Sequence, residues 1–316
     1  MRSVHPAEPS GTRVRSSGRP MPVIVGAPRS GTTLLRLMLD AHSTLAIPPE
    51  TGFLALGPAL AGGADPRRTF FDSVTTFPPG APAWPDFGIP AADFRAALDR
   101  LDPFSAGEGC RAFYRLYASR FGKPRWGDKT PTYALHLATV AELLPEAHAL
   151  HLIRDGRDVA LSLRPLWFSP GHEIETLAEY WKRCLTAARR QSGACAGYLE
   201  VRFEDLVHHT EAELRRICRF LDLEFERGML EYHVEAPARL AEHQERRRAD
   251  GTVIVSREAR LRQQALATRP PQPSRAGAWA RAMTAGERER FEAVAGDLLD
   301  ELGYTAAGER PERSPA

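Results

Sequence analysis

Val23-Ile24-Val25-Gly26-Ala27-Pro28-Arg29-Ser30-Gly31-Thr32-Thr33-Leu34-Leu35-Arg36 is the stretch that decides how this chain folds. The apolar run from Met21 to Val25 reads as a buried strand, Gly26 and Gly31 bracket a loop, and a helical pattern starts at Thr32. Strand, glycine loop and helix in that order make a phosphate cradle. The loop's backbone N–H groups and the helix N-terminus both point at phosphate oxygens. A loop built for a nucleoside triphosphate has Lys directly after the second glycine, to reach the β- and γ-phosphates. Here that position is Thr32, and the cation, Arg29, sits inside the loop. The pattern suits a nucleotide without a polyphosphate tail.

The 316 residues are 43% hydrophobic, enough for a sizeable core, and one α/β domain with an insertion is expected. With 42 basic and 40 acidic residues the net charge is +2, which gives no support for a nucleic-acid or membrane-surface partner. Only Lys123, Lys129 and Lys182 among the basic residues are lysines. Such Arg bias fits GC-rich bacterial coding, and a surviving Lys marks a place where a compact ammonium serves better than a guanidinium fork. Cys110, Cys184, Cys195 and Cys218 show no C-x-x-C spacing and read as buried reduced thiols. No apolar run approaches about 18 residues, so no transmembrane helix is expected. Residues 1–20, rich in Arg, Ser, Gly and Pro, read as a disordered tail rather than a signal peptide. Residues 305–316 read as a second tail, leaving 21–304 as a single domain in a protein whose default location is the cytoplasm. No pattern in the sequence sets an oligomeric state.

Strand signals fall at Pro22–Val25, Leu45–Ile47, Ala147–Ile153 and Tyr198–Val201. Between them, apolar residues at helical spacing predict helices over Thr32–Ala41, Thr132–Leu144, Ile174–Gln191 and Glu211–Leu221. A last helix opens on the capping box Thr284-x-x-Glu287 and closes before Gly303. This alternation predicts an α/β fold with a mostly parallel central sheet covered by helices on both faces. Residues 52–125 break the rhythm, with a Pro-rich stretch from Phe77 and two short helical patterns around Phe94–Leu101 and Phe113–Phe121. They read as a helical insertion over the carboxyl ends of the strands, where open α/β sheets bind ligands. Phe53, Trp84, Phe87, Phe104 and Tyr114 are candidates to line an acceptor pocket there; the alternative is the insertion's own small core.

A second motif, Leu152-Ile-Arg-Asp-Gly-Arg-Asp-Val-x-x-Ser162, follows about 120 residues on. A strand ends directly in Arg154 and a helix begins near Asp158. A strand-end Arg at a ligand edge is placed to grip an anion bidentately, and Ser162 can offer a hydroxyl to the same anion. The competing reading is a surface pair, Arg154–Asp155 or Arg157–Asp158.

Together, Pro28-Arg-Ser-Gly-Thr-Thr33 and Leu152 to Ser162 resemble the sulfotransferases that use 3′-phosphoadenosine 5′-phosphosulfate (PAPS). The similarity is greatest to the branch containing tyrosylprotein sulfotransferases and many bacterial members. It covers roughly residues 22–60 and 124–222, is weaker around 270–290, and is absent from the tails. The resemblance implies the P-loop-like sulfotransferase fold. It implies that Arg29, Ser30, Gly31, Thr32 and Thr33 hold the 5′-phosphosulfate and that Arg154 and Ser162 hold the 3′-phosphate. Phe203 falls where the family often has an aromatic near the adenine, the alternative being an ordinary core residue. Arg275, in Ser274-Arg-Ala-Gly-Ala-Trp279, loosely matches the segment that closes over the nucleotide.

By the same resemblance Glu50 is the general base, Lys129 the cation at the bridging oxygen, and Arg29 shares the sulfuryl oxygens. A carboxylate beside so anionic a donor is expected to have a raised pKa, which suits base work. The alternatives are a solvated Glu50 and a surface pair between Lys129 and Asp128. His42, His136 and His172 are the leftover base candidates, since another branch of the family uses His. Gly52 stands where the tyrosylprotein enzymes have an Arg that grips acidic peptide, which argues against a protein tyrosine acceptor. The implied reaction moves a sulfuryl group from PAPS to a hydroxyl of a small metabolite or glycan, gives PAP and a sulfate ester, and needs no metal. A small-molecule kinase using ATP and a non-catalytic PAP-binding protein are the alternatives.

Overall fold

The computed structural model describes residues 18–304. The tail readings for 1–17 and 305–316 lie outside the described residues. Pro20, placed in the first tail by the sequence, is tied down, because its carbonyl accepts from the Arg125 guanidinium at 2.9 Å.

The phosphate-loop signature folds as read. Strand β1, Met21–Gly26, is wholly buried, and helix α1, Thr32–Asp40, follows the loop. A short strand β2, Leu45–Ala46, precedes the insertion. There a 3₁₀ segment, Phe53–Ala61, is followed by α2, Pro66–Thr75, α3, Ala91–Asp99, and α4, Ala106–Ser119. The chain then returns through β3, Arg125–Trp126, and β4, Asp128–Lys129. These two are almost one strand that changes partner at Gly127: β3 pairs with β2 and β4 with β1.

Helix α5, Leu137–Leu143, leads to β5, Ala147–Ile153. Next come α6, Gly156–Leu163, α7, Ile174–Gln191, and β6, Gly197–Arg202. The main sheet is parallel throughout, in the order β4-β1-β5-β6. Helices α8, Phe203–His208, α9, Thr210–Phe220, and α10, Ala236–Leu240, follow. A small antiparallel pair, β7, Arg246–Arg247, and β8, Val253–Val255, leads to α11, Arg257–Gln264. The chain ends in α12, Trp279–Ala282, and α13, Ala285–Glu301, which opens on the predicted capping box at Thr284.

Side chains alternate across a strand, so each strand feeds two cores. Val23, Val25, Ala149 and Ile153 pack with residues of α4, α5, α7 and α13. Ile24, Leu150, Leu152 and Val201 pack on the other face with α1, α8 and α9. The predicted parallel sheet with two covered faces is therefore what forms.

Two readings need correction. The helix expected over Thr132–Leu144 is a 3₁₀ turn, Pro131–Leu135, then α5, broken at His136. The Tyr133 hydroxyl is held by Thr51 at 2.8 Å and accepts from the Leu54 amide at 2.9 Å, which pins the turn to the insertion. The aromatic residues Phe53, Trp84, Phe87, Phe104 and Tyr114 do not line the cavity described below; they pack the core of the insertion. Phe113 meets Phe53 and Phe87 edge-on at 5.1 and 5.0 Å. These rings close a core with Leu54, Leu60, Phe70, Phe94, Leu98 and Phe113, against which the three helices of the insertion pack.

Candidate active site

Every strand of the main sheet ends on one cavity of about 440 Å³. The loop after β1 contributes Pro28, Arg29, Gly31, Thr32 and Thr33, and the stretch after β2 contributes Glu50 and Thr51. Arg154 follows β5, Phe203 follows β6, and Ser162 stands on α6. The carboxyl edge of an open α/β sheet is where such sites form.

The loop is conformationally demanding. Arg29 lies in left-handed backbone at φ 76°, which costs a non-glycine residue about 1–3 kcal/mol. Gly31 has φ 98°, and a Cβ there would meet the Phe203 ring at 2.5 Å. Gly31 caps α1 without any side-chain hydrogen bond, so the first-turn amides keep their capacity for an anion. Ser30 is buried and lies outside the cavity lining, and its Oγ makes no hydrogen bond.

The two sequence motifs meet here. Arg29 Nε donates to Ser162 Oγ at 3.1 Å across 133 positions. Arg154 donates to the Arg29 carbonyl at 3.2 Å and to the Arg275 carbonyl at 2.7 Å. Its guanidinium carbon stands 4.5 Å from the centre of the Phe203 ring, and its Nε is buried with no partner. Arg275 also lines the cavity. Burial, with Arg154 and Arg275 nearby, lowers the pKa of Arg29, and Glu50 partly offsets this. The site is thus rich in positive charge that its own carboxylates do not balance.

Neither ion pair weighed for Arg154-Asp-Gly-Arg-Asp158 forms. The pairs are crossed and buried: Arg154 with Asp158 at 3.3 Å and Arg157 with Asp155 at 2.8 Å. Asp155 caps α6 through the Arg157 amide, so the helix begins at Gly156, and one turn of it brings Asp158 back under Arg154. Asp158 also accepts from the amides of Gly277 and Trp279, at 3.0 and 2.8 Å. This fastens the segment carrying Arg275 to the motif.

Lys129 is buried and donates to Glu50 Oε1 at 2.5 Å and to Thr33 Oγ1 at 3.4 Å. The weighed pair with Asp128 is absent, since Asp128 accepts instead from Thr51 and Tyr114 at 2.7 and 2.8 Å. The Glu50 carboxylate is half exposed, onto the cavity. A raised pKa is expected beside the anionic donor; the protein's own groups shift it the other way. Burial pushes it up, but Lys129, with smaller help from His243 and Arg260, outweighs burial and holds it below the ordinary value. Lys129 is itself lowered, by burial, against the pull of Glu50.

Of the leftover histidines, His42 is buried against the Glu224 carbonyl at 2.9 Å, His172 is exposed, and His136 sits at the helix break. None lines the cavity. His243 does, with Arg246 and Arg260, all beyond the reach of the sequence motifs. The rim carries exposed Trp167, Phe168 and Leu266. Among the described residues no group of three or more His, Cys, Asp or Glu could hold a metal ion, and no helix is long and apolar enough to cross a membrane.

A loop on a parallel sheet with this geometry has relatives. The family model described as "Sulfotransferase family" matches residues 20–227. The chain belongs to the sulfotransferase family. Membership makes it a transferase. Protein-tyrosine sulfotransferase A of Caenorhabditis elegans is 27% identical over 224 residues, 67% of this chain and 52% of that protein. Nodulation protein NoeE of Sinorhizobium fredii is 33% identical over 154 residues, 48% of this chain and 33% of NoeE. The match thus spans about a third to a half of these two proteins. In fold the sulfotransferase resembles the sulfotransferase domain of the curacin biosynthetic pathway, with TM-score 0.54 and 20% identity over 90% of this chain and 98% of the domain. A similar domain from the Synechococcus PCC 7002 olefin synthase gives TM-score 0.53 and 23% identity over 89% and 94%.

Proposed function

We propose that the protein transfers a sulfuryl group from PAPS to a hydroxyl of a small metabolite or glycan, releasing PAP and a sulfate ester. The observation that carries this reading is the Arg29–Ser162 hydrogen bond. It joins a glycine loop suited to one phosphate with Ser162 of the second motif, whose strand-end Arg154 donates to the Arg29 carbonyl and suits a second, separate anion. A nucleotide with a 5′-phosphosulfate and a 3′-phosphate presents that pair of charges.

In this proposal the acceptor oxygen forms a bond to sulfur while the bond from sulfur to the bridging oxygen breaks, and the electron pair stays on the departing 5′-phosphate. Glu50 takes the proton of the acceptor hydroxyl. Lys129 neutralises charge on the leaving oxygen and Arg29 that on the sulfuryl oxygens, since positioning and charge stabilisation dominate such transfers. As Lys129 turns to the leaving group, Glu50 loses the partner that lowers its pKa and becomes the stronger base. Phe203 stacks under Arg154, and Arg275 supports the 3′-phosphate side.

Gly52 favours a non-peptide acceptor. It has φ 70°, and a Cβ would meet the Phe77 ring at 2.5 Å. The Arg that tyrosylprotein enzymes use therefore has no room here.

Calorimetry on the full chain without Mg²⁺ tests the reading. PAP is expected to bind tightly and ATP negligibly, because Thr32 replaces the Lys that would reach the γ-phosphate. ATP binding tighter than PAP would favour a small-molecule kinase and overturn the proposal.

A further inference from the structure

The basic side chains that line the cavity fall into two groups. Arg29 lies in the field of Arg154 and Arg275, and these three form the first group. Arg246, Arg260 and His243 form a second group, and Glu50 feels Arg246, Arg260 and His243 as well as Lys129. The first group and Lys129 are engaged by the donor in the function proposed above, on which this inference rests. The second group has no task in that reaction.

The second group is a built site. Asp86, on the 3₁₀ turn Trp84–Phe87 of the insertion, is almost wholly buried. It accepts from Arg246 at 2.7 Å, from Arg260 at 3.0 and 2.8 Å, and from the Gln244 amide at 2.9 Å. Arg246 also donates to the Pro82 carbonyl at 2.7 Å, and Arg260 to His243 Nδ1 at 3.2 Å. One carboxylate thus orients two guanidiniums that both border the cavity. The cluster keeps one uncompensated positive charge, since burial lowers the pKa of His243 to about 4 and leaves it neutral at pH 7. Burial also lowers Arg246 to about 10, so Asp86 does not fully offset the desolvation of that guanidinium. A buried excess charge beside a ligand cavity is stabilised by an anion, and Arg is the side chain suited to carboxylate or sulfate oxygens.

We propose that Arg246 and Arg260 form an anion subsite on the acceptor side of Glu50, and that the preferred acceptor is a hydroxyl compound carrying a carboxylate or another anionic group. The apolar rim of Trp167, Phe168 and Leu266 gives the body of such an acceptor a surface to lie on.

The test is calorimetry on the full chain saturated with PAP, with 4-hydroxyphenylacetate and its uncharged amide, 4-hydroxyphenylacetamide, as probes. The acid is expected to bind roughly tenfold or more tightly than the amide, an advantage worth about 1.4 kcal/mol per factor of ten. Raising the salt concentration is expected to shrink that advantage in the unaltered protein. Arg246→Gln with Arg260→Gln is expected to abolish the preference, and the Arg→Lys pair to retain part of it, while PAP affinity, read in the same titrations, reports whether each variant is folded. Equal or undetectable binding of both probes to the PAP complex overturns the proposal, as does a preference that survives both salt and the Gln variants. A chain that does not bind PAP at all would instead remove the donor assignment, which the first titration step reads separately.

Discussion

Glu50 and Lys129 illustrate how much one contact changes two side chains. At 2.5 Å each stabilises the charged form of the other, and Glu50 ends below its ordinary pKa although burial pushes the other way. If Lys129 serves the leaving group, Lys129→Ala should lower kcat by about 10²–10³, the usual cost of losing one preorganised charge. Glu50→Gln should lower kcat with little change in PAP affinity, because the base does not hold the donor. Steady-state kinetics beside PAP titrations check this, and an unaltered kcat in either variant would leave that residue without its assigned role. Both residues were candidates through the family resemblance of the stretches that carry them. Their ion pair was not, since it joins positions 79 apart and depends on which strands lie side by side.

The phosphate loop is the element on which donor binding depends in this reading. Gly31 has φ 98°, and its Cα hydrogen faces the Phe203 ring at the start of α8. Gly31→Ala would impose a left-handed backbone on a residue with a Cβ and push that carbon into the ring. A stability loss of about 1–3 kcal/mol is expected from the backbone alone. PAP affinity should fall as well, because the first-turn amides of α1 shift with the loop. Denaturant unfolding and calorimetry measure the two effects. A variant with unaltered stability and affinity would show that the loop tolerates the change. The loop, α1, β5 and α7 were readable because local periodicity and glycine placement decide them. The helix over Thr132–Leu144 was misread because Tyr133 is held by Thr51 and the Leu54 amide, partners that no local pattern announces.

At the scale of the molecule, the cluster of Asp86, His243, Arg246 and Arg260 ties the insertion to the C-terminal part of the chain. It should also shape stability against pH. Burial brings His243 to about 4, below its ordinary 6.5. The unfolded chain therefore takes up that proton first as pH falls, and stability is lost between about 6.5 and 4. Burial pushes the Asp86 carboxyl up, but the adjacent His243, Arg260 and Arg246 win, and its pKa lies below 3.8. Its contribution is present above 3.8 and is lost as pH falls through the lower folded value. Melting temperatures across this range should show His243→Gln flattening the decline between 6.5 and 4 relative to the unaltered chain. An unchanged slope would mean that His243 does not stay neutral in the fold. The sequence offered no sign of this cluster: Arg246 and Arg260 are two of many arginines, and Asp86 lies in a Pro-rich stretch far from both.

By itself the sequence determined the strand–loop–helix unit, the parallel α/β sheet, and the two motifs that carry Arg29, Arg154 and Ser162. Backbone N–H geometry, apolar periodicity and the placement of glycine act over a few residues and are written locally. The tertiary structure decided which charges meet. It placed Glu50 on Lys129, crossed the pairs of the second motif, and set Arg246 and Arg260 on Asp86. Burial and Coulomb interactions depend on distances in space, and the fold brings together residues that sequence order keeps as many as 234 positions apart, as in the contact of Arg29 with the Gln263 carbonyl.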